Sequence, residues 1–317
     1  MPNLFERLAR VFKRPPATTP VVAPPVNTPP DPNRTTPLPD LATVANFDTT
    51  VKNPALGLAP KRLVIGIAQH VGRVRTHNED VLLAFQGELA GLESMPHFGL
   101  FVVADGMGGH ALGERASGIA ARTVAREAMS QIVPFLLAMP DSDPDRPSLL
   151  EIMEKAMNAA NQEVFAGVPE GGGTTLTCAL LIGEQLVLSH VGDSRAYLIM
   201  PDSFEQLTRD HSLVQRLQEL GQLSAAEAAV HPQRNVLYRA VGQGDGLEVD
   251  VESHRLPPGG SLLLCSDGLW GLVPNDRIQA LIRQAPSLQA ACEALVAAAN
   301  AAGGPDNITA VMVQLPL

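Results

Sequence analysis

Residues 98–117 read FGLFVVADGMGGHALGERAS, and this stretch decides the fold. Phe98 to Ala104 is a run of apolar and β-branched residues, the composition of a strand. Asp105 ends the run, and a glycine-rich turn follows at once. From Glu114 to about Met139 the apolar residues and alanines recur three and four apart, which predicts a helix. A strand, a carboxylate, a tight turn and a helix thus follow in about forty residues.

The same pattern recurs along the chain. Asp193 follows the apolar run LVLSHVG, Asp267 follows LLLCS, and Asp306 sits in GGPDN ahead of ITAVMV. Glu79 and Asp80 close RTHNED. A carboxylate at the end of an apolar strand needs a cation or hydrogen bonds to be tolerated. Several brought together repel unless a divalent ion offsets their charge. Hard oxygen ligands favour Mg²⁺ or Mn²⁺. One Asp-Gly pair is an ordinary turn, but five carboxylates in one setting point to a metal centre.

Further strands are expected at RLVIGIAQHVG, TTLTCALLIG, QLVLSHVG, RAYLIM, SLLLCSDGLW and ITAVMVQL. Further helices are expected over 148–167, between Ser212 and Gly242, and through 277–302 with a break near Pro286. Ser148 with Glu151, and Ser224 with Glu227, have capping-box spacing. Short links between strands favour antiparallel sheets covered by helices. The domain is expected to span 61–317. Ahead of it, 15–60 is proline-rich and reads as a disordered linker. Residues 1–14 carry Leu4, Phe5, Leu8, Val11 and Phe12 at helical spacing among Arg7, Arg10, Lys13 and Arg14. That is a short basic amphipathic segment suited to an acidic membrane surface or a protein partner.

Composition excludes several classes. The formal net charge is −10, which argues against nucleic-acid binding. Three scattered cysteines, Cys178, Cys265 and Cys292, form no C-x-x-C pair and fit a reducing cytoplasm. No apolar run is long enough to predict a membrane span. Past Lys61 the only lysine is Lys155, so neither a Walker loop nor a kinase lysine is present. No cysteine precedes an arginine by six positions, and no H-E-x-x-H or G-x-S-x-G occurs.

The stretches VGRVRTHNED, VVADGMGGHALGERAS, GTTLT, HVGDSRAYL, LTRDHS, HPQRNVLYRAVG, LLLCSDGLW and GGPDNITAVMV resemble, in order, the metal-dependent protein phosphatases of type 2C, in their bacterial branch. The resemblance covers roughly 62–315. It implies a sandwich of two central antiparallel β-sheets flanked by α-helices, with two divalent cations (Mn²⁺ or Mg²⁺) at one end and a weaker third. By motif, Asp105 would bridge both ions and the Gly106 carbonyl would bind one. Asp267 and Asp306 would bind the other, and Glu79 and Asp80 would ligate or orient through water. Asp193 would share the third ion with Asp267. Arg75 would hold the substrate phosphate. Residues 213–233 would form the flap beside the cleft. The implied reaction is hydrolysis of phosphoserine and phosphothreonine in proteins by direct attack of a metal-bridging hydroxide, opposing a Ser/Thr kinase. The competing reading is a catalytically silent binding module. Met107 stands where some eukaryotic members have a histidine, so the leaving-group proton donor is unassigned. Thr174 and Thr175 are expected to make structural hydrogen bonds near the site, and Arg195, His211 and Arg234 to fix loops.

Overall fold

The computed structural model describes residues 62–88, 96–109, 111–138, 147–168, 171–244 and 246–316. The readings placed on 1–14 and 15–60 lie outside the described residues.

Strand β3 (Phe98–Met107) organises the molecule. Leu100, Val102 and Ala104 project to one face, where they pack with helices α1 (Ala111–Ala138) and α2 (Leu149–Gly167). Phe101 and Val103 project to the other face. Alternation places successive side chains on opposite sides of a strand, so a strand buried on both sides must be apolar throughout. Strands β2 (Asp80–Gly87), β5 (Leu176–Ile182), β6 (Gln185–Val191) and β9 (Asp250–Arg255) complete the sheet in the order β2-β3-β5-β6-β9, with β4 (Gly173–Thr174) added beside β3.

A second sheet runs β1-β11-β10-β7-β8, from β1 (Val64–His70), β11 (Ile308–Gln314), β10 (Ser261–Cys265), β7 (Arg195–Ile199) and β8 (Phe204–Gln206). All the strand pairs within both sheets are antiparallel. Leu262, Leu264, Val311 and Val313 face Phe101, Val103, Leu181 and Leu186 between the sheets. On the outer face, Leu263, Cys265, Ala310 and Met312 meet Leu295 and Ala299 of α7 (Leu288–Ala301). The order is therefore helix, sheet, sheet, helix, as the resemblance implied. Gly66 lets α7 lie directly on β1, since a Cβ there would stand 2.3 Å from the Leu288 backbone.

Both capping boxes are present, at Ser148–Glu151 and Ser224–Glu227. The break near Pro286 separates α6 (Asn275–Gln284) from α7. Three strands escape the sequence reading: β2, β8 and β9. The helix expected from Ser212 to Gly242 is instead two short ones, α3 (Leu213–Glu219) and α4 (Ala225–Ala229). Pro232 lacks an N–H to continue a helix. Beyond it the chain turns back, and the Tyr238 N–H donates to the His211 carbonyl. Asp267 likewise opens a helical turn, α5 (Asp267–Trp270), rather than ending a strand. Among the described residues, no helix is long and apolar enough to cross a membrane.

Candidate metal centre

The six predicted carboxylates come from five segments that meet at one end of the sandwich. Asp80 opens β2 and is paired in register with Asp105 on β3. The Asp105 amide accepts support from Thr175, donating to its Oγ1 at 2.9 Å, while Thr174 Oγ1 donates to the Asp105 carbonyl at 2.9 Å. Both threonines thus make the structural bonds expected of them.

Gly106 sits where three backbone segments converge. A Cβ there would lie 2.3 Å from the Gly113 carbonyl oxygen and 2.7 Å from that of Glu79. The first turns of α1 are drawn onto the site in this way, and Ser117 Oγ donates to the Glu79 carbonyl at 2.6 Å. The Glu79 amide donates to Asn307 Oδ1 at 2.7 Å. Asn307 Nδ2 in turn bonds the carbonyls of Val71 and His77. Asn307 therefore joins the loop carrying Arg75 and Glu79 to the loop carrying Asp306. Gly268 packs equally closely, since its Cβ would stand 1.9 Å from the Asn307 carbonyl oxygen.

Asp80 is buried. Its Oδ2 accepts from Ser266 Oγ at 2.8 Å and from Thr309 Oγ1 at 2.6 Å. Its Oδ1 is also buried and has no hydrogen-bond partner. A carboxylate oxygen in that position is costly. Burial pushes the Asp80 carboxyl up to about 7, against the pull of its two hydroxyl partners. Asp105 keeps partial exposure, but protein crowds it closely enough that desolvation remains the largest cause of its raised value. The charges of Asp80, Asp267 and Asp193 add to that rise. Burial and then the Asp306 charge raise Asp267 to about 6. Burial and then Asp267 hold Asp193 well above the ordinary range. These groups repel one another in a poorly solvated place, and positive charge there would relieve them.

Arg75 stands at the rim, with Nη2 2.8 Å from Asp306 Oδ2 and Nη1 3.9 Å from Glu79 Oε1. A cavity of about 620 Å³ opens beside the cluster. Asp193, Asp267 and Asp306 line it, as do Gln215, Gln218 and Ala228 of the expected flap.

The Asp193 turn is held from outside. His211 grips Gly192 twice: its amide donates to the Gly192 carbonyl at 2.7 Å, and its Nδ1 accepts the Gly192 N–H at 3.1 Å. His211 Nε2 lies 3.1 Å from Asp250 Oδ2. Arg195 is bound to Asp210 through Nε and Nη2 at 2.9 and 2.7 Å. Arg195 and His211 thus fix loops, as expected. Arg234 differs: its side chain is exposed and lines the cavity. Sequence reading missed Ser266, Thr309, Asn307 and Trp270. Their only signal is adjacency to a motif aspartate.

The donor set suits hard divalent cations, because every proposed ligand atom is oxygen and one buried oxygen lacks a partner. Among the described residues, no three His, Cys, Asp or Glu side chains close into a ready-made cage. The thiols take no part. All three are buried and free, and burial pushes Cys265 and Cys292 up to about 12.

Fold and site together define a metal-dependent phosphatase. The family model for protein phosphatase 2C matches residues 67–308. The serine/threonine phosphatase stp of Listeria welshimeri is 36% identical over 243 residues, covering 77% of this chain and 92% of that protein. The crystal structure of the Mycobacterium tuberculosis serine/threonine phosphatase PstP/Ppp shares the fold with a TM-score of 0.66 at 34% identity, covering 80% of this chain and 99% of that one. A structure of the PstP catalytic domain in complex with two manganese ions gives a TM-score of 0.64 at 32% identity, over 80% of this chain and 99% of that one. The chain belongs to the protein phosphatase 2C family, in its bacterial branch. It is an enzyme, a Ser/Thr protein phosphatase that works with two divalent cations, rather than a silent module.

Proposed function

We propose that this domain removes phosphate from phosphoserine and phosphothreonine at the carboxylate cluster, with Asp80, Asp105, Gly106, Asp267 and Asp306 holding the two cations and Glu79 acting through water. Asp193 shares a weaker third cation with Asp267, and Arg75 binds the phosphate. The observation that carries this reading is the buried, unpartnered Oδ1 of Asp80, set opposite Asp105 in the ladder.

The bound cations supply a nucleophile from water near neutral pH and offset charge on the phosphoryl oxygens. The chain supplies the rest. Arg75 spends one donor on Asp306 and is 45% exposed, so its remaining N–H groups can meet phosphoryl oxygens in a fork. Asn307 fixes the Arg75 loop against the Asp306 loop. Ser266 and Thr309 fix the rotamer of Asp80 through Oδ2, which leaves Oδ1 for a cation. The cavity between the cluster and the flap admits a polypeptide segment carrying the phosphoresidue.

The partners are phosphoproteins made by a Ser/Thr kinase, in the cytoplasm, a compartment that the three free buried thiols support. Residues 1–14 bring the enzyme to an acidic membrane surface or a partner, which liposome flotation of the full chain against one lacking them would test. The domain starts near Lys61, so a chain beginning at Pro60 retains turnover of a small substrate.

The test of the function is phosphate release from matched phosphothreonine, phosphoserine and phosphotyrosine peptides at saturating Mn²⁺. Turnover of the first two well above the third supports the reading. Equal or preferred turnover of phosphotyrosine contradicts it.

A further inference from the structure

Trp270 is the only tryptophan in the chain, and it ties together two turns of the site. It shares the helical turn α5 with Asp267. Its indole Nε1–H donates to the backbone carbonyl of Asp193 at 3.0 Å. The face of the same ring carries the Arg195 guanidinium, whose Cζ lies 3.5 Å from the ring centroid. Arg195 cannot drift, because Asp210 holds it in a fork and its Nη1 reaches the Tyr197 hydroxyl at 3.2 Å. Trp270, Arg195, Asp193 and Asp267 all line the same cavity.

The ring is therefore locked on one face by a cation that is itself locked. Its one polar atom is aimed at the Asp193 turn. A stacked guanidinium adds attraction to the ring without constraining the N–H direction, so the hydrogen bond is the direct link from α5 to Asp193, beside the grip of His211 on Gly192. The pair of carboxylates it relates differs from Asp80 and Asp105. Asp80 and Asp105 are fixed by a strand ladder, whereas Asp193 sits on a turn outside any strand, following Gly192 at φ +113°. A turn of that kind takes its position from what grips it.

We propose that Trp270 is a positioning residue that sets the separation of Asp193 from Asp267, and so tunes the weaker third cation site independently of the pair at Asp105. The inference rests on the reading of Asp193 as a cation ligand. Trp270→Phe keeps the ring and its stacking on Arg195 but removes the N–H. Losing one hydrogen bond of ordinary strength corresponds to about a fivefold change in an equilibrium constant.

The experiment is Mn²⁺ titration of the full chain by calorimetry, for wild type, Asp193→Asn and Trp270→Phe, with thermal melts to confirm folding. The expected result is two tight ions in all three proteins. Wild type also shows a weaker class, which Asp193→Asn loses and Trp270→Phe weakens about fivefold. Tryptophan emission of wild type is expected to be quenched by Mn²⁺ across the range of the weaker class. If Asp193→Asn retains the weaker class, or wild type shows none, the ligand reading fails and the proposal with it. If Asp193→Asn loses that class while Trp270→Phe leaves it unchanged, the ligand reading stands and the proposal is overturned. A fall of tight and weak classes together in Trp270→Phe also overturns it, as a packing role.

Discussion

Asp80 and Asp105 stand directly opposite each other on β2 and β3, a paired position of the antiparallel ladder. Like charges so placed are destabilising, and here one of the two also has a buried oxygen with no partner. The fold thus holds a local arrangement that is unfavourable without cations and stabilised by them.

A pH dependence follows for the cation-free protein. Asp80 is raised to about 7 by burial, from about 4 in an unfolded chain. It therefore binds its proton more tightly when folded. Its contribution to stability is fully present below pH about 4 and is lost as pH rises through about 7. In chelator, wild type should lose stability between pH 5 and pH 8, and Asp80→Asn should lose less, by about 2–4 kcal/mol. Urea unfolding at the two pH values checks this, and parallel curves for the two proteins would contradict it.

Gly268→Ala should separate the two loops that carry Asp267 and Asp306. The added Cβ would stand 1.9 Å from the Asn307 carbonyl oxygen, and backbone cannot move aside as a side chain can. Destabilisation of about 3 kcal/mol is expected, together with weaker Mn²⁺ binding. Thermal melts and calorimetry measure both, and a variant as stable as wild type with unchanged Mn²⁺ affinity would be the opposing result.

Breaking the Arg195–Asp210 pair should cost stability first. The pair is close, at 2.7 Å, and little exposed, at 18% and 5%. Removing one partner of a buried pair costs about 3–5 kcal/mol. Asp210→Ala should therefore lower the melting temperature by roughly 6–20 °C for a domain of this size. A fall of under about 2 °C would show that the pair is solvated in solution.

Arg75 should behave in the opposite way. Its bond to Asp306 is exposed, and such pairs contribute about 0–1 kcal/mol. Arg75→Lys should leave the melting temperature nearly unchanged while lowering kcat/KM on a phosphopeptide by about tenfold or more, since lysine cannot offer a fork. Steady-state kinetics beside a thermal melt separate the two effects. A variant with wild-type kcat/KM would remove Arg75 from the site.

The sequence was most legible where strands lie in the middle of a sheet. β3, β5, β10 and β11 are buried on both faces and read as continuous apolar runs. The strands it hid, β2, β8 and β9, all lie at sheet edges. β9, Asp-Val-Glu-Ser-His-Arg, has one paired side and mixed exposure, so its pattern carries little hydrophobic signal. Asp105, Asp193 and Asp267 were legible because each follows an apolar run, and Asp80 and Asp306 because each stands just ahead of one. Their supports were not: Ser266, Thr309 and Asn307 act across more than 180 positions of chain, and nothing local marks a hydroxyl or amide as their partner. The stretch after Ala229 misled because its composition permits a helix, while Pro232 and the His211–Tyr238 bond turn it back.

The central claim is that this carboxylate cluster performs hydrolysis only when it holds divalent cations. The most direct test is phosphate release from a phosphothreonine peptide, with and without Mn²⁺, for wild type and Asp267→Asn. The account predicts turnover by wild type that depends on Mn²⁺, and a folded variant reduced by about a thousandfold, in the range expected when an electrostatic element of a site is removed. Turnover by wild type in chelator, or a variant as active as wild type, would contradict it.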